Sequence, residues 1–281
     1  MLRKLFTIGI FTYCLFLSSA LFAEDKIKDT IIVSAPPQVY FIKQIAKENF
    51  IVKSMMESTS TLTTYNPTAK HYMATETAIA YLKINMYNEK DWISKIKILN
   101  KDIKTFDTTI NIDKYIIENN IYSWLDPMLV RIQAKNILNI LIELDEENTE
   151  FYKKNYRTFV NSITSLDYQI KSIFKHKREH VFMTFQPVWG YFAKRYKIKQ
   201  LEINVDFQSE KEGVAKKILN IAIKNSTKVL FIPTYYFPKR LFNEINEKAR
   251  VSIIPISYLE YDWYNNLLNV ARVISYTPTM Y

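Results

Sequence analysis

Short apolar runs alternate along this chain with longer segments whose apolar residues recur every three or four positions. The first run, Ile31-Ile32-Val33-Ser34, predicts a strand. Pro36-Pro37 then opens a helix with Val39, Ile42, Ile45 and Ala46 on one face. A second strand is predicted over 51–55, followed by a polar Ser/Thr-rich stretch over 57–64 and a short helix. The apolar run 80–84 predicts a third strand, 92–99 a helix and 103–106 a fourth strand. Strands and helices alternating at this length predict a parallel sheet with helices on both faces.

The texture changes at Asp126-Pro127, where a proline at the first helical position marks a helix start. Helical patterning then runs almost unbroken to about His176. Tyr152, Tyr156, Phe159, Ile163, Leu166, Ile170 and Ile173 follow one another at alternating steps of four and three, a sustained stripe on one helix face. Such a stripe suits either a coiled-coil seam or a helix packed on its own domain. The α/β pattern on both flanks favours the second. The alternation restarts with strands at 181–185, 200–204, 228–232 and 251–256 and helices at 187–195, 210–224, 237–248 and 262–274. The expected fold class is α/β, with two α/β lobes of mainly parallel sheet linked by one long helix and a ligand cleft between the lobes. The expected boundaries are 24–125 for the N-terminal lobe, 126–176 for the linking helix and 177–281 for the C-terminal lobe.

The first residues have another purpose. Arg3 and Lys4 precede an apolar run over 5–17, and the small residues Ser18, Ser19 and Ala20 follow. That layout predicts a secretory signal peptide, 1–23, cleaved after Ala23. An uncleaved anchor is the alternative, but the run is short and diluted by Thr7 and Thr12. Cys14 is the only cysteine, and the bulky Tyr13 before it argues against lipid modification. The mature chain then has no thiol for a disulfide or a thiolate metal site. After Gly9 only Gly190 and Gly213 remain, too few for a phosphate-cradling loop. The formal net charge is +10, and losing Arg3 and Lys4 with the leader leaves +8. This favours anionic surroundings in general. No stripe of lysine and arginine marks a nucleic-acid site, and no nucleic-acid partner is expected. No Ser/His/Asp or Cys/His set stands at sensible positions, so no enzyme is expected.

Four stretches stand in order around the long helix: Tyr65-Asn66-Pro67-Thr68, Trp124-Leu125-Asp126-Pro127, the segment from Gln186 to Ala193, and the strand 251–256 with the turn leading into Asp262-Trp263. With their spacing the chain resembles the zinc- and manganese-type solute-binding proteins of ABC importers (ZnuA/TroA-like). The resemblance covers nearly the whole mature chain. It implies a metal site in the cleft, a periplasmic location and an ABC permease of the inner membrane as partner. It also implies four metal-ligand positions, and each is replaced. Thr63 stands where the first loop has a histidine, Tyr122 two residues before the tryptophan, Gln186 before the third segment and Ser257 at the last position. Zinc sites draw on imidazole, thiolate and carboxylate. Neutral Thr, Gln and Ser side chains are poor substitutes, and a tyrosine would have to lose a proton of pKa about 10.

The cleft residues implied are therefore Thr63, Tyr65, Tyr122, Trp124, Gln186 and Ser257, with Tyr235 and Tyr236 beside them. Such a set suits hydrogen bonding and stacking with a small neutral or organic solute or a metal chelate. No resident cofactor is expected. The alternatives are zinc or manganese at a relocated site using His71, His176 or His180, and a non-transport interaction protein reusing the fold. Surface positions are the plainer reading of those three histidines, and packing is the plainer role for Trp124, Trp189 and Tyr191. The chain is expected to act as a monomer.

Overall fold

Central strands of a parallel sheet are covered on both faces and must be apolar throughout, whereas edge strands tolerate polar positions. The sequence supplies that difference. In the computed structural model, which describes residues 28–60, 65–112, 117, 120–175, 180–203, 213–234, 237–249 and 251–276, the buried strands are central. β1 (Thr30–Val33) and β3 (Ala80–Lys83) lie inside a sheet of order β2-β1-β3-β4, flanked by β2 (Ile51–Ser54) and β4 (Lys104–Asp107). β5 (Val181–Thr184) and β7 (Val229–Ile232) lie inside the second sheet, of order β6-β5-β7-β8, flanked by β6 (Lys199–Glu202) and β8 (Ser252–Pro255). Every strand pair is parallel. The two lobes therefore share one strand order although their sequences show no internal repeat.

The helices of the first lobe are α1 (Pro36–Ala46), α2 (Ala69–Met73) and α3 (Glu89–Leu99). α4 (Pro127–Leu144) and α5 (Thr149–Phe174) join the lobes. α6 (Gly190–Tyr196), α7 (Val214–Lys224), α8 (Lys239–Lys248) and α9 (Trp263–Tyr276) complete the second lobe. Asp126 caps α4 by accepting the Met128 N–H at 2.8 Å, and Pro127 opens it, as the sequence predicts.

Residues 126–176 are not one unbroken helix. α4 and α5 form an antiparallel hairpin turned at 145–148. Asp145 leaves helical geometry there, its carboxylate accepting from Asn148 and from the Tyr152 hydroxyl. Two glutamates in this turn are helix-compatible, so nothing in the apolar spacing marks the break. α5 alone is the long linking helix. Its stripe residues Tyr152, Phe159, Ile163, Leu166 and Ile170 are buried. At its start Tyr152 accepts from Asn49 of the first lobe (3.1 Å), and Asn155 donates to the Ile45 carbonyl (2.9 Å). Towards its end Asp167 receives a bidentate pair from Arg195 of α6 at 2.9 and 2.8 Å, plus Lys171 at 2.8 Å. Burial alone would raise the Asp167 pKa, but the bonds from Arg195 and Lys171 outweigh it and hold it below the ordinary 3.8. Among the described residues no helix is long and apolar enough to cross a membrane.

Ile163→Ala should cost about 2–5 kcal/mol in chemical denaturation, whereas exposed Thr164→Ala should stay within about 0.5 kcal/mol. Asp167 has a depressed pKa in the fold, so its contribution is fully present above pH 3.8 and is lost as pH falls below that value through the lower folded pKa. Asp167→Asn should lose about 2 kcal/mol at neutral pH and show a correspondingly shallower acid limb in the same assay.

Candidate functional site

In a parallel sheet whose strand order reverses, ligands bind beyond the carboxyl ends of the strands. Here the two sheets present those ends to each other. Ser58 follows β2 and Ser257 follows β8, and the Ser257 hydroxyl donates to the Ser58 carbonyl at 2.6 Å. The same hydroxyl accepts the Leu259 N–H at 3.0 Å, which fixes its direction. The position expected to hold a metal ligand is thus occupied by a hydrogen bond between the lobes.

Aromatic rings continue this seam. Tyr122 stands just before a short 3-10 turn (Ser123–Leu125), its amide held by Asn120 at 3.0 Å. Its ring meets Trp124 edge-on at 5.5 Å and Tyr258 at 5.1 Å. The Trp124 indole N–H donates to the Tyr258 carbonyl at 2.7 Å, and the Trp124 carbonyl accepts from the Trp263 indole at 2.6 Å. Trp124, Trp189 and Tyr191 are all buried, so packing is part of the work of each.

The far side of the seam is held by Asn120, which donates to the Pro187 carbonyl at 2.8 Å. Gly190 makes that approach possible. A Cβ at 190 would stand 2.8 Å from Asn120 Nδ2, closer than packed atoms allow. The Tyr191 hydroxyl accepts the Ile117 N–H at 3.2 Å. Gln186 lies on the second-lobe wall of a small cavity with Thr184, Trp189, Phe231, Ile256 and Tyr258. The cavity measures 30 Å³, about the space of one water. The Gln186 carbonyl is taken by Thr184 (2.7 Å) and Gln200 (3.2 Å).

Tyr65 sits at the first-lobe edge. Its hydroxyl donates to the Met55 carbonyl at 2.7 Å, and its ring is edge-on to Trp92 and His71. Burial, with Glu57, Tyr261 and Tyr72 nearby, pushes its pKa up to about 12. It is a neutral hydrogen-bonding group over the whole physiological range. Thr63, Tyr235 and Tyr236 lie outside the described residues.

The histidines have other partners. His71 is the third residue of α2, and its Nδ1 accepts the Thr68 N–H at 3.1 Å, a reciprocal cap of the helix start. Burial lowers its pKa, with Lys70 adding to the effect and Glu57 opposing it. His180 is not the surface residue its sequence suggests. It is 6% exposed and packs edge-on against Phe174 at 4.8 Å, because the residue before β5 is folded under the end of α5. His176 lies outside the described residues. Among the described residues no group of three His, Cys, Asp or Glu side chains converges as a metal cage.

Sequence reasoning misses Ser58, Asn120 and Tyr258, which the seam depends on, and Glu89 of α3. Glu89 is buried and accepts from Ser34, Tyr81, Ile84 N–H (3.0 Å) and Met86 N–H (2.7 Å). Burial raises its pKa despite these donors. It ties the loop after β3 to the end of β1, the first-lobe floor below the seam.

A family model described as zinc-uptake complex component A, periplasmic, matches residues 31–272. The high-affinity zinc uptake system protein ZnuA of Bacillus subtilis is 28% identical over 133 residues, which is 46% of this chain and 42% of the relative. A putative metal-binding protein of Chlamydia trachomatis is 23% identical over 262 residues, covering 90% of this chain and 92% of that one. A crystal structure of ZnuA superposes with TM-score 0.79 at 28% identity, covering 89% of this chain and 99% of that one. The periplasmic zinc-binding protein TroA of Treponema pallidum, at 14% identity and TM-score 0.74, shares the fold, with 88% of this chain and 98% of that one covered.

Ser257→Ala removes one bond between the lobes. It should cost about 1 kcal/mol and speed amide exchange at 257–259 and 58–60 in hydrogen-exchange mass spectrometry, with the β1 amides unchanged.

Proposed function

Because the chain belongs to the zinc-uptake complex component A family, we propose that it is the solute-binding component of a metal-type ABC importer whose cleft has exchanged the bare divalent cation for an organic or chelated solute. The family is one of solute-binding proteins, not of enzymes. The relatives carry names such as metal ABC transporter substrate-binding lipoprotein, in Lactococcus lactis, which supports transport with a membrane permease and a place outside the cytoplasm. The matched stretches span less than half of several of these relatives, so permease, periplasmic location and monomeric action are parts of the same proposal.

The observation that carries the exchange of cargo is the Ser257–Ser58 hydrogen bond at 2.6 Å. A divalent ion at this depth needs anionic or imidazole donors to offset its dehydration. Tyr65, Tyr122, Gln186 and Ser257 bring hydroxyl and amide dipoles and no negative charge at neutral pH. A raised phenol pKa at Tyr65 makes a phenolate ligand less accessible still. What these groups do well is orient hydrogen bonds against aromatic walls, the usual make-up of a site for a small organic molecule. A cavity of 30 Å³ admits no such molecule as it stands. A solute larger than this enters between Tyr122 and Tyr258, whose rings meet at 5.1 Å, only by parting them.

Isothermal titration and elemental analysis of the purified chain test this reading. Neither zinc nor manganese should bind stoichiometrically at micromolar concentration. Tight one-to-one uptake of either ion would overturn the exchange of cargo while leaving the family assignment intact. With a solute in hand, Tyr258→Ala should weaken its binding by about tenfold or more, the loss expected for a removed stacking wall.

A further inference from the structure

We propose that the chain holds a second ligand site, beside the seam, for a small neutral ring compound that both donates and accepts hydrogen bonds. This goes beyond the proposed cargo and does not depend on what the cleft takes. The site lies past the carboxyl ends of β3 and β4, the side on which an open α/β sheet binds ligands. There Ile84, Ile112, Ile117 and Ile121, with the Tyr191 ring of α6, wall a cavity of 240 Å³. An apolar cavity of about 150 Å³ holds a benzene ring. This one has room for a ring and a substituent, whereas the 30 Å³ space beside Gln186 has room for neither.

The polar groups of the cavity define what the substituent must do. Asn85 gives its two amide protons to Asp107 (2.6 Å) and Thr109 (2.8 Å), and its Oδ1 takes Lys83 Nζ at 2.6 Å. Thr109 in turn gives its hydroxyl proton to Asp107 at 2.6 Å. Both side chains have spent every proton and keep only oxygen lone pairs for a ligand. Ser123, from the turn before α4, is the reverse. It is 5% exposed, and its Oγ accepts from Gln133 Nε2 at 3.3 Å. Its hydroxyl proton has no acceptor among the described residues, and a buried donor left so costs stability unless a bound molecule takes it. One set of groups accepts and the other donates. A hydroxyl or a carboxamide answers both, and a bare hydrocarbon answers neither.

Charge selects a neutral ligand. No described lining residue is ionised. Lys83 and Asp107, which hold Asn85, stand 3.6 Å apart and neutralise each other. A charged ligand would give up its water and find no counter-ion. The site is also formed before any ligand arrives. Asn85 holds a left-handed backbone (φ 59°), which asparagine tolerates better than most residues. The buried Glu89 carboxylate fixes the turn around it by accepting the amides of Ile84 and Met86 at 3.0 and 2.7 Å. Tyr87, in the same turn, lines the cavity and is 81% exposed, a ring that a bound ring would cover. Asn120 and Tyr191 reach from the cavity to Pro187 (2.8 Å) and Ile117 (3.2 Å), so an occupant also braces the far side of the seam.

Two-dimensional amide NMR of the isotope-labelled chain from Glu24 onward, which holds every described residue, tests this with benzamide, phenol and benzoate. Benzamide and phenol should shift the amides of Asn85, Thr109, Ser123 and Tyr191, with dissociation constants on the order of 1 mM for molecules so small. Benzoate has the shape of benzamide and a negative charge, and should bind at least about tenfold more weakly. Ser123→Ala should weaken benzamide about fivefold through the lost hydrogen bond. Tyr87→Ala, at an exposed position where the fold is not disturbed, should do the same through the lost ring contact. Absence of shifts at those amides with both neutral probes would overturn the site, as would benzoate binding as well as benzamide, or binding unchanged in both variants. Shifts confined to Gln186 and Tyr258 would put the probes in the cleft and overturn the second site, while supporting an organic cargo. Zinc or manganese taken up by the cleft would sink the exchange of cargo and leave the shifts expected here unchanged.

Discussion

A single helix is shared by two separate sheets, and the buried stripe of α5 is the constraint from which the arrangement follows. Over its 26 residues the helix runs about 39 Å, long enough to serve both lobes. Its first turns are bonded to α1 and the end of the first sheet, and its last turns to α6 through Asp167 and Arg195. Because the stripe is continuous, neither lobe can rotate about α5 without exposing part of it. The carboxyl ends of the two sheets are thereby held opposite each other, and the chemistry of the cleft is decided by the loops that leave them.

Those loops are joined chiefly through backbone carbonyls. Ser58, Pro187 and Tyr258 each lend a carbonyl to a side chain of the other lobe or its approach. This explains why the fold was legible in the sequence and much of the site was not. Buried runs such as Val229–Ile232 and the spacing from Tyr152 to Ile173 are side-chain patterns, and they name the central strands and the long helix directly. Asp126-Pro127 is likewise a local signal, and the cap it promises is present. A carbonyl acceptor has no sequence signature, because every residue has one. Resemblance to a family could locate Tyr122, Gln186 and Ser257, but not that Ser257 would reach across to residue 58.

The two failures of local reading have physical causes. The break at 145–148 sits in residues that a helix accepts, and only the side-chain bonds of Asp145 reveal it. His180 reads as a surface residue because the polar pair Arg178-Glu179 precedes it in sequence, yet the ring is folded against Phe174. Glu89 is harder still. Nothing in its helix distinguishes it from the exposed Lys90, and its role comes from four donors that three separate segments bring together.

Trp124 belongs to both sides of the seam at once. Its indole N–H is given to Tyr258 and its carbonyl receives the indole of Trp263. Were the proposed loading to part the Tyr258 turn from Tyr122, the indole of Trp124 would lose this protein carbonyl and its fluorescence would change colour. The state of the cleft is thus written into the chain's own emission spectrum, readable without any dye or label.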